Sequence, residues 1–383
     1  MTGPLSGLKV VEFAGIGPAP FAAMLLGDLG ADVVRIDRPS GHAGNPVSPD
    51  RDFLNRNRRS VALNLKTDDD IAFALGLIRD ADVLIEGYRP GVMERLGVGP
   101  DVSLGVNPRL VYARMTGWGQ DGPLADRAGH DIDYIARVGA LFPIGTQQSD
   151  PVIPLNIVGD FGGGGMLLAF GILAAVHHAS LTGTGQVVDA AITDGTALLT
   201  TMLHVWRSAG LWSDSRASNM LDGGAHFYHV YETADGRHLA VGAIEPQFYR
   251  EFIGGLGFSP EDPTWTAGHQ DRAMWPALTQ QVAQRVRTRT LDEWSAIFDG
   301  TDACVAPVLS PAEAPFDPHN IARNTFLDVD GVTQPAPAPR FSGTPTTAPR
   351  SHPMPGQHSD EIRASVAASG GWPHRVRSEA NTN

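Results

Sequence analysis

In the stretch LNIVGDFGGGGMLLAFGILAAV, residues 155–176, a carboxylate stands between an apolar run and four consecutive glycines. Asp160 has two uses there. Helix N-termini attract negative charge, so it can serve simply as a cap. Four glycines exceed what a cap needs, and they let a ligand approach the backbone closely. A second candidate is His130, in RAGHDIDYIARVGAL, where a glycine leads into a helical pattern. A lone histidine carries little weight by itself. Its interest turns on whether Asp160 faces it, which periodicity cannot show.

Other residues suggest an anionic ligand. RNRRSVALNLK places Arg56, Arg58, Arg59 and Lys66 together in an acidic chain. They form either a solvated edge or a pocket for phosphate. Arg38 ends one strand pattern, and Arg89 and Arg95 follow another. Open α/β sheets bind ligands at strand C-termini, so these arginines favour a phosphate-bearing ligand. EFAGIGPAP resembles a dinucleotide fingerprint, with Asp37 in the ribose position. However, Pro18 and Pro20 remove the N–H donors that a pyrophosphate needs, and a tight turn into a Pro-started helix fits better. His177 and His178 suit the C-terminal end of a helix. His226 and His229 have no neighbouring ligands that complete a zinc set. HDID, residues 130–133, has no further support as a metal motif. No GxSxG elbow or P-loop is present.

These candidates need elements to hold them. LKVVEFAG, ADVVRID, SVALNL, DVLIEGY and RLVYARMTG read as buried strands. PFAAMLLGDLG and residues 68–80 and 91–106 read as helices between them. The alternation predicts an α/β fold with an open parallel sheet. Residues 1–200 are expected to form this large domain. Residues 213–226 are polar and Gly-rich, so 201–225 reads as a linker and 226–320 as a smaller α+β domain. Its HFYHVYETADGRHLAVGAIE turns at Ala234-Asp235-Gly236 as a hairpin. Helical patterns follow at 246–256 and 271–287. Residues 321–345 are expected to return to the large domain. Residues 346–383, rich in Pro, Ser, Thr and Arg, are expected to lack order.

The 383 residues are 42% hydrophobic with a net charge of −13, which disfavours nucleic acid and anionic membranes as partners. Cys304 is the only cysteine, so no intrachain disulfide forms. No signal-peptide pattern opens the sequence, and the strongest apolar run, residues 166–176, is too short to span a bilayer. The expectation is a cytoplasmic enzyme or binding protein.

GLKVVEFAGIGPAPFAAMLLGDLGADVVRIDRP, VLIEGYRPGVMERLG, RLVYARMTGWGQDGP, AGHDIDY, VGDFGGGGM and GQVVDAAITDG together resemble the family III CoA-transferases, within them the α-methylacyl-CoA racemase branch. The resemblance runs in order over residues 4–342. It implies a Rossmann-like large domain built from both chain ends, a small middle domain, and an interlocked homodimer. It implies His130 and Asp160 as the two catalytic acid/bases, Glu245 as the partner of the histidine, and Asn156 as support for the aspartate. For coenzyme A it implies Arg38, Leu63, Asn64, Leu65, Lys66, Gly87, Tyr88, Arg89, Arg95, Gly129, Asp131, Ile132, Asp133 and Tyr134. Asn64 replaces an acid seen in close relatives, and the region before Asn55 is longer. The implied reaction is 1,1-proton transfer on a 2-methylacyl-CoA through an enolate. Its oxygen would be held by N–H groups of the glycine-rich helix start. Neither a metal nor a separate cofactor is implied, since coenzyme A belongs to the substrate. Two other readings remain: acyl transfer through Asp160 as nucleophile, and acyl-CoA binding without catalysis.

Overall fold

The computed structural model describes residues 3–40 and 47–373. The chain forms two compact units. The larger runs up to Val138, resumes over Leu155–Leu199 and continues from Arg323; the smaller comprises Gly139–Pro154 and Thr200–Ala322.

The larger unit is an α/β structure around six parallel strands. They are β1 (Lys9–Phe13), β2 (Asp32–Asp37), β3 (Arg58–Ala62), β4 (Val83–Glu86), β5 (Val111–Thr116) and β6 (Gln186–Ala191). Their spatial order is β3-β2-β1-β4-β5-β6. Five of them match the strand-like runs of the sequence. The sixth lacks a continuous apolar run, because its first four positions are exposed or partly exposed. Side chains alternate across the strands. Val10, Val33 and Val83 face helices Pro18–Asp28 and Leu167–Thr182. Val11, Val34 and Leu84 face helices Asp68–Arg79 and Ser359–Ser369. Burial on both faces is why these strands read as unbroken apolar runs. Strand order reverses between β1 and β4, which opens a crevice at their C-terminal ends.

The basic cluster becomes internal structure. Glu12, fully buried in β1, accepts from Arg35 at 3.1 Å and from Arg58 at 2.8 Å. Arg56 pairs with Asp28, and Arg59 pairs with Asp32 at 2.8 Å. The three arginines are therefore consumed in buried ion pairs and form no phosphate pocket; Lys66 alone stays exposed. Charge composition cannot tell the two uses apart, because the partner carboxylates lie up to 46 residues away.

The far C-terminal region also differs from its compositional reading. Helix Ser359–Ser369 buries Ile362, and Trp372 is buried beside it. The Ser60 amide of β3 donates to His358 Nδ1, the Ala62 amide donates to Ser359 Oγ, and the His358 amide donates to the Ser60 carbonyl. Order here comes from capture of an edge strand, which local composition does not encode. Residues 374–383 lie outside the described residues.

In the smaller unit, β7 (Tyr228–Glu232), β8 (His238–Gly242) and β9 (Val305–Pro307) form an antiparallel sheet. Helices Pro246–Gly255 and Trp275–Val286 pack a core of Phe227, Tyr249, Phe252, Trp275 and Trp294 around it. Residues 201–225 group with this unit. Helix Thr201–Ser208 and a web of bonds from the buried Asn219 to Ser213 and Asp222 give them structure that a flexible linker would lack.

Candidate active site

The crevice collects the C-terminal ends of four strands. Ile16, Gly17 and Pro18 follow β1, and Gly87, Tyr88 and Arg89 follow β4. Met115, Gly117 and Trp118 come from the end of β5, and Ile192 follows β6. They enclose about 540 Å³ together with Arg127, Gly129, His130, Tyr134, Asn156 and Asp160. The wall is apolar on the β1 and β5 sides, while Arg89 and Arg127 bring positive charge.

His130 is the N-cap of helix Asp131–Arg137 and is exposed. Its amide donates to Asp133 Oδ2 at 2.9 Å, which fixes the backbone from which the imidazole projects. Tyr134, one turn on, donates its hydroxyl to the Gly129 carbonyl at 2.5 Å. Its ring meets Trp118 edge-on, with centroids 4.7 Å apart. Side chains at Gly117 or Gly129 would overlap that ring, so both glycines serve the tyrosine. Burial, followed by the charge of Asp160, raises the Tyr134 pKa to about 12.

Asp160 lies inside a helix and caps nothing. Residues Ile157–Met166 wind as a π-helix that runs directly into Leu167–Thr182. Its N-cap is Asn156, whose side-chain amide donates to Asp160 Oδ2 at 3.3 Å. The Asp160 amide donates to Asp131 Oδ1 at 2.7 Å. Burial raises the Asp160 carboxyl above its ordinary range. The Asn156 bond opposes this, the Asp131 charge adds to it and His130 lowers it. The two acid/base candidates thus line one crevice, and the charge of His130 acts on Asp160.

The four glycines answer to packing. A Cβ on Gly163 would collide with Thr196, one on Gly164 would touch Pro18, and one on Gly165 would press into Phe21. The π segment lies wedged against helices Pro18–Asp28 and Ile192–Leu199, and only glycine permits that approach. Gly17 has φ 72° and passes 3.7 Å, measured from its ideal Cβ, from Asp160 Oδ2. The close approach to the Asp160 carboxylate is therefore made there, at the β1 turn. Continuous winding also gives a 26-residue apolar run, Ile157–Thr182, long enough to cross a membrane by length and composition. Leu168, Ile172 and Ala175 bury its inner face against the sheet.

Of the remaining expected coenzyme A contacts, Arg38 is exposed and acts on the Tyr88 hydroxyl by charge and hydrogen bonding. Tyr88 donates to the Ala14 carbonyl at 2.8 Å. Leu63 is a core side chain, while Asn64 and Lys66 are exposed and Leu65 is half-buried at the end of β3. Arg95 ends the short helix Val92–Arg95 and lies against Gly91. Ile132 and Asp133 are exposed on the His130 helix, but Asp131 is turned inward. Glu245 belongs to the smaller unit, exposed at the N-cap of Pro246–Gly255. Arg127 and the β5 turn escape the sequence reading. The strand-end rule applied to RLVYARMTG points to the turn, whereas no local signal marks Arg127. Among the described residues, no group of three or more His, Cys, Asp or Glu is close enough to hold a metal ion.

The chain is similar to known proteins over nearly its whole length. It is 43% identical to the alpha-methylacyl-CoA racemase of Mus musculus over 360 residues, covering 94% of this chain and 92% of that protein. It is 31% identical to the acetyl-CoA:oxalate CoA-transferase of Acetobacter aceti, covering 89% and 90%. A CAIB/BAIF family protein from Brucella suis superposes with a TM-score of 0.82 at 26% identity, over 96% of this chain and all of that one. The model for CoA-transferase family III matches residues 5–359, and the chain belongs to that family.

Proposed function

We propose that the protein is an α-methylacyl-CoA racemase, interconverting the 2R and 2S epimers of a 2-methylacyl-CoA. The observation that carries this reading is the pairing of His130 with Asp160 in one crevice, together with the 43% identity to the mouse racemase. In one direction the imidazole of His130 takes the α-proton and leaves an enolate. The Asp160 carboxyl then delivers its own proton to the opposite face, and the reverse reaction exchanges the roles. A two-base racemase needs one partner protonated while the other is not. The raised affinity of Asp160 for its proton favours the form in which Asp160 carries it. Asn156 steadies the carboxylate, and Glu245 is assigned to orient His130.

The coenzyme A moiety runs along the strand ends, with Arg38, Arg89 and Arg95 as phosphate partners. The apolar wall of Ile16, Met115, Trp118 and Ile192 takes the acyl chain. The working unit is a homodimer. Exposed Phe170 and Leu181 on the long apolar helix support a covering subunit, at 71% and 73% exposure.

A second reading is CoA transfer with Asp160 as the acyl-carrying nucleophile, favoured by the transferase relative. One experiment separates them. A single-epimer 2-methylacyl-CoA is incubated with the protein in heavy water and followed by NMR. Racemisation is expected to bring deuterium to C2 and produce both epimers. Exchange of acyl groups with a free acid, without epimerisation, would select the transferase.

A further inference from the structure

Asp131 stands next to His130 in sequence, yet it points away from the crevice and is 8% exposed. Successive residues on a helix diverge by about 100°, so the N-cap histidine and the first helical residue serve different sides. The inward side meets the segment that carries Asp160. A π-helix bonds each N–H five residues back, so the amides of its first turn have no partner within the helix. The Asp160 amide is one of these, and Asp131 Oδ1 accepts it at 2.7 Å. The fit is specific in sequence: a Cβ on Gly159 would overlap Asp131 Oδ1, so the residue before Asp160 must be glycine. The other oxygen, Asp131 Oδ2, is buried with no hydrogen-bond partner. Leaving half a buried carboxylate unsatisfied costs stability. A neutral acceptor would hold the amide more cheaply.

We propose that Asp131 is the positioning residue of the site, tying Asp160 to the helix that begins at His130. This rests on the racemase reading above. One side chain then sets the spacing of both acid/bases across the substrate carbon. Its charge also acts on Asp160. The groups acting on that carboxyl are Asp131 and His130 from the helix and Asn156 from its own segment, and Tyr134 senses it in return. The β1 turn contributes Gly17, which is uncharged. Asp131 therefore holds Asp160 in place and favours its protonated form, which explains a charged residue where asparagine would make the same bond.

The test uses two variants of the full chain. Asp131→Asn keeps the acceptor and removes the charge. The expected result is an unchanged KM and an acid limb of the kcat/KM profile moved to lower pH, since Asp160 then ionises more readily. Asp131→Ala removes both, and kcat is expected to fall by about 10²-fold at constant KM, the scale of a misplaced catalytic group. A raised KM with unchanged kcat in either variant would make Asp131 a coenzyme A contact and overturn the proposal. The ¹³C shift of the Asp160 carboxyl, assigned by its loss in Asp160→Asn, is titrated in parallel. Its midpoint is expected to fall in Asp131→Asn, and an unmoved midpoint also overturns the proposal. If the wild-type protein incorporates no deuterium at C2, the racemase reading fails, while this titration still judges Asp131.

Discussion

Under the proposed two-base scheme, removing His130 and removing Asp160 should have different consequences, although a complete racemisation needs both. The base that remains still meets the hydrogen of one epimer and can return a solvent-derived proton to the same face. Asp160→Asn should keep slow deuterium wash-in for one epimer, and His130→Ala for the other, neither with inversion. Each rate should fall by about 10²–10⁴-fold. Chiral separation with mass detection checks this, and exchange of the same epimer by both variants would remove Asp160 from its role. Both residues were legible in the sequence because GHD and GD sit in long, ordered motif strings. Asp131 was legible only as part of a motif. Its inward direction depends on where the helix begins, and its partner is 29 residues away.

At the scale of elements, the π segment makes the glycines a matter of space. Gly163→Ala drives a methyl group into Thr196 and should destabilise the fold by about 1–3 kcal/mol, the usual cost of overpacking. Gly76, inside helix Asp68–Arg79, has nothing within 4 Å of its ideal Cβ. Gly76→Ala should instead stabilise by about 0.5–1 kcal/mol through helix propensity. Urea denaturation of the two variants checks the contrast. Equal effects would mean that Gly163 is not pinned. The sequence marked this region as special through its four glycines but not for the right reason, because the atoms that demand them lie on other helices. The strands were legible for the opposite reason: burial on both faces writes itself into each run locally. The arginines of β3 left a solvated edge and a phosphate pocket equally open, because the acids that bury them are distant in sequence.

At the scale of the whole molecule, the reading of Glu245 as partner to His130 across subunits is open to a direct trial. Co-expression of a Glu245→Ala chain with a His130→Ala chain should restore part of the racemase activity that each lacks alone, because a mixed dimer then assembles one intact site. Mixed dimers without activity, verified by differential tagging, would place both residues in the same chain's site. The covered edge of β3 has a consequence in time. Its cap arrives 298 residues later in the chain than Ser60, at His358. A ribosome adding about 5–20 residues per second needs roughly 15–60 s to bridge that interval. Until then the nascent sheet presents an unpaired strand to every neighbouring polysome. Pairing of that edge with another chain thus competes with the completion of translation, and a stop before helix Ser359–Ser369 leaves the edge of β3 uncovered.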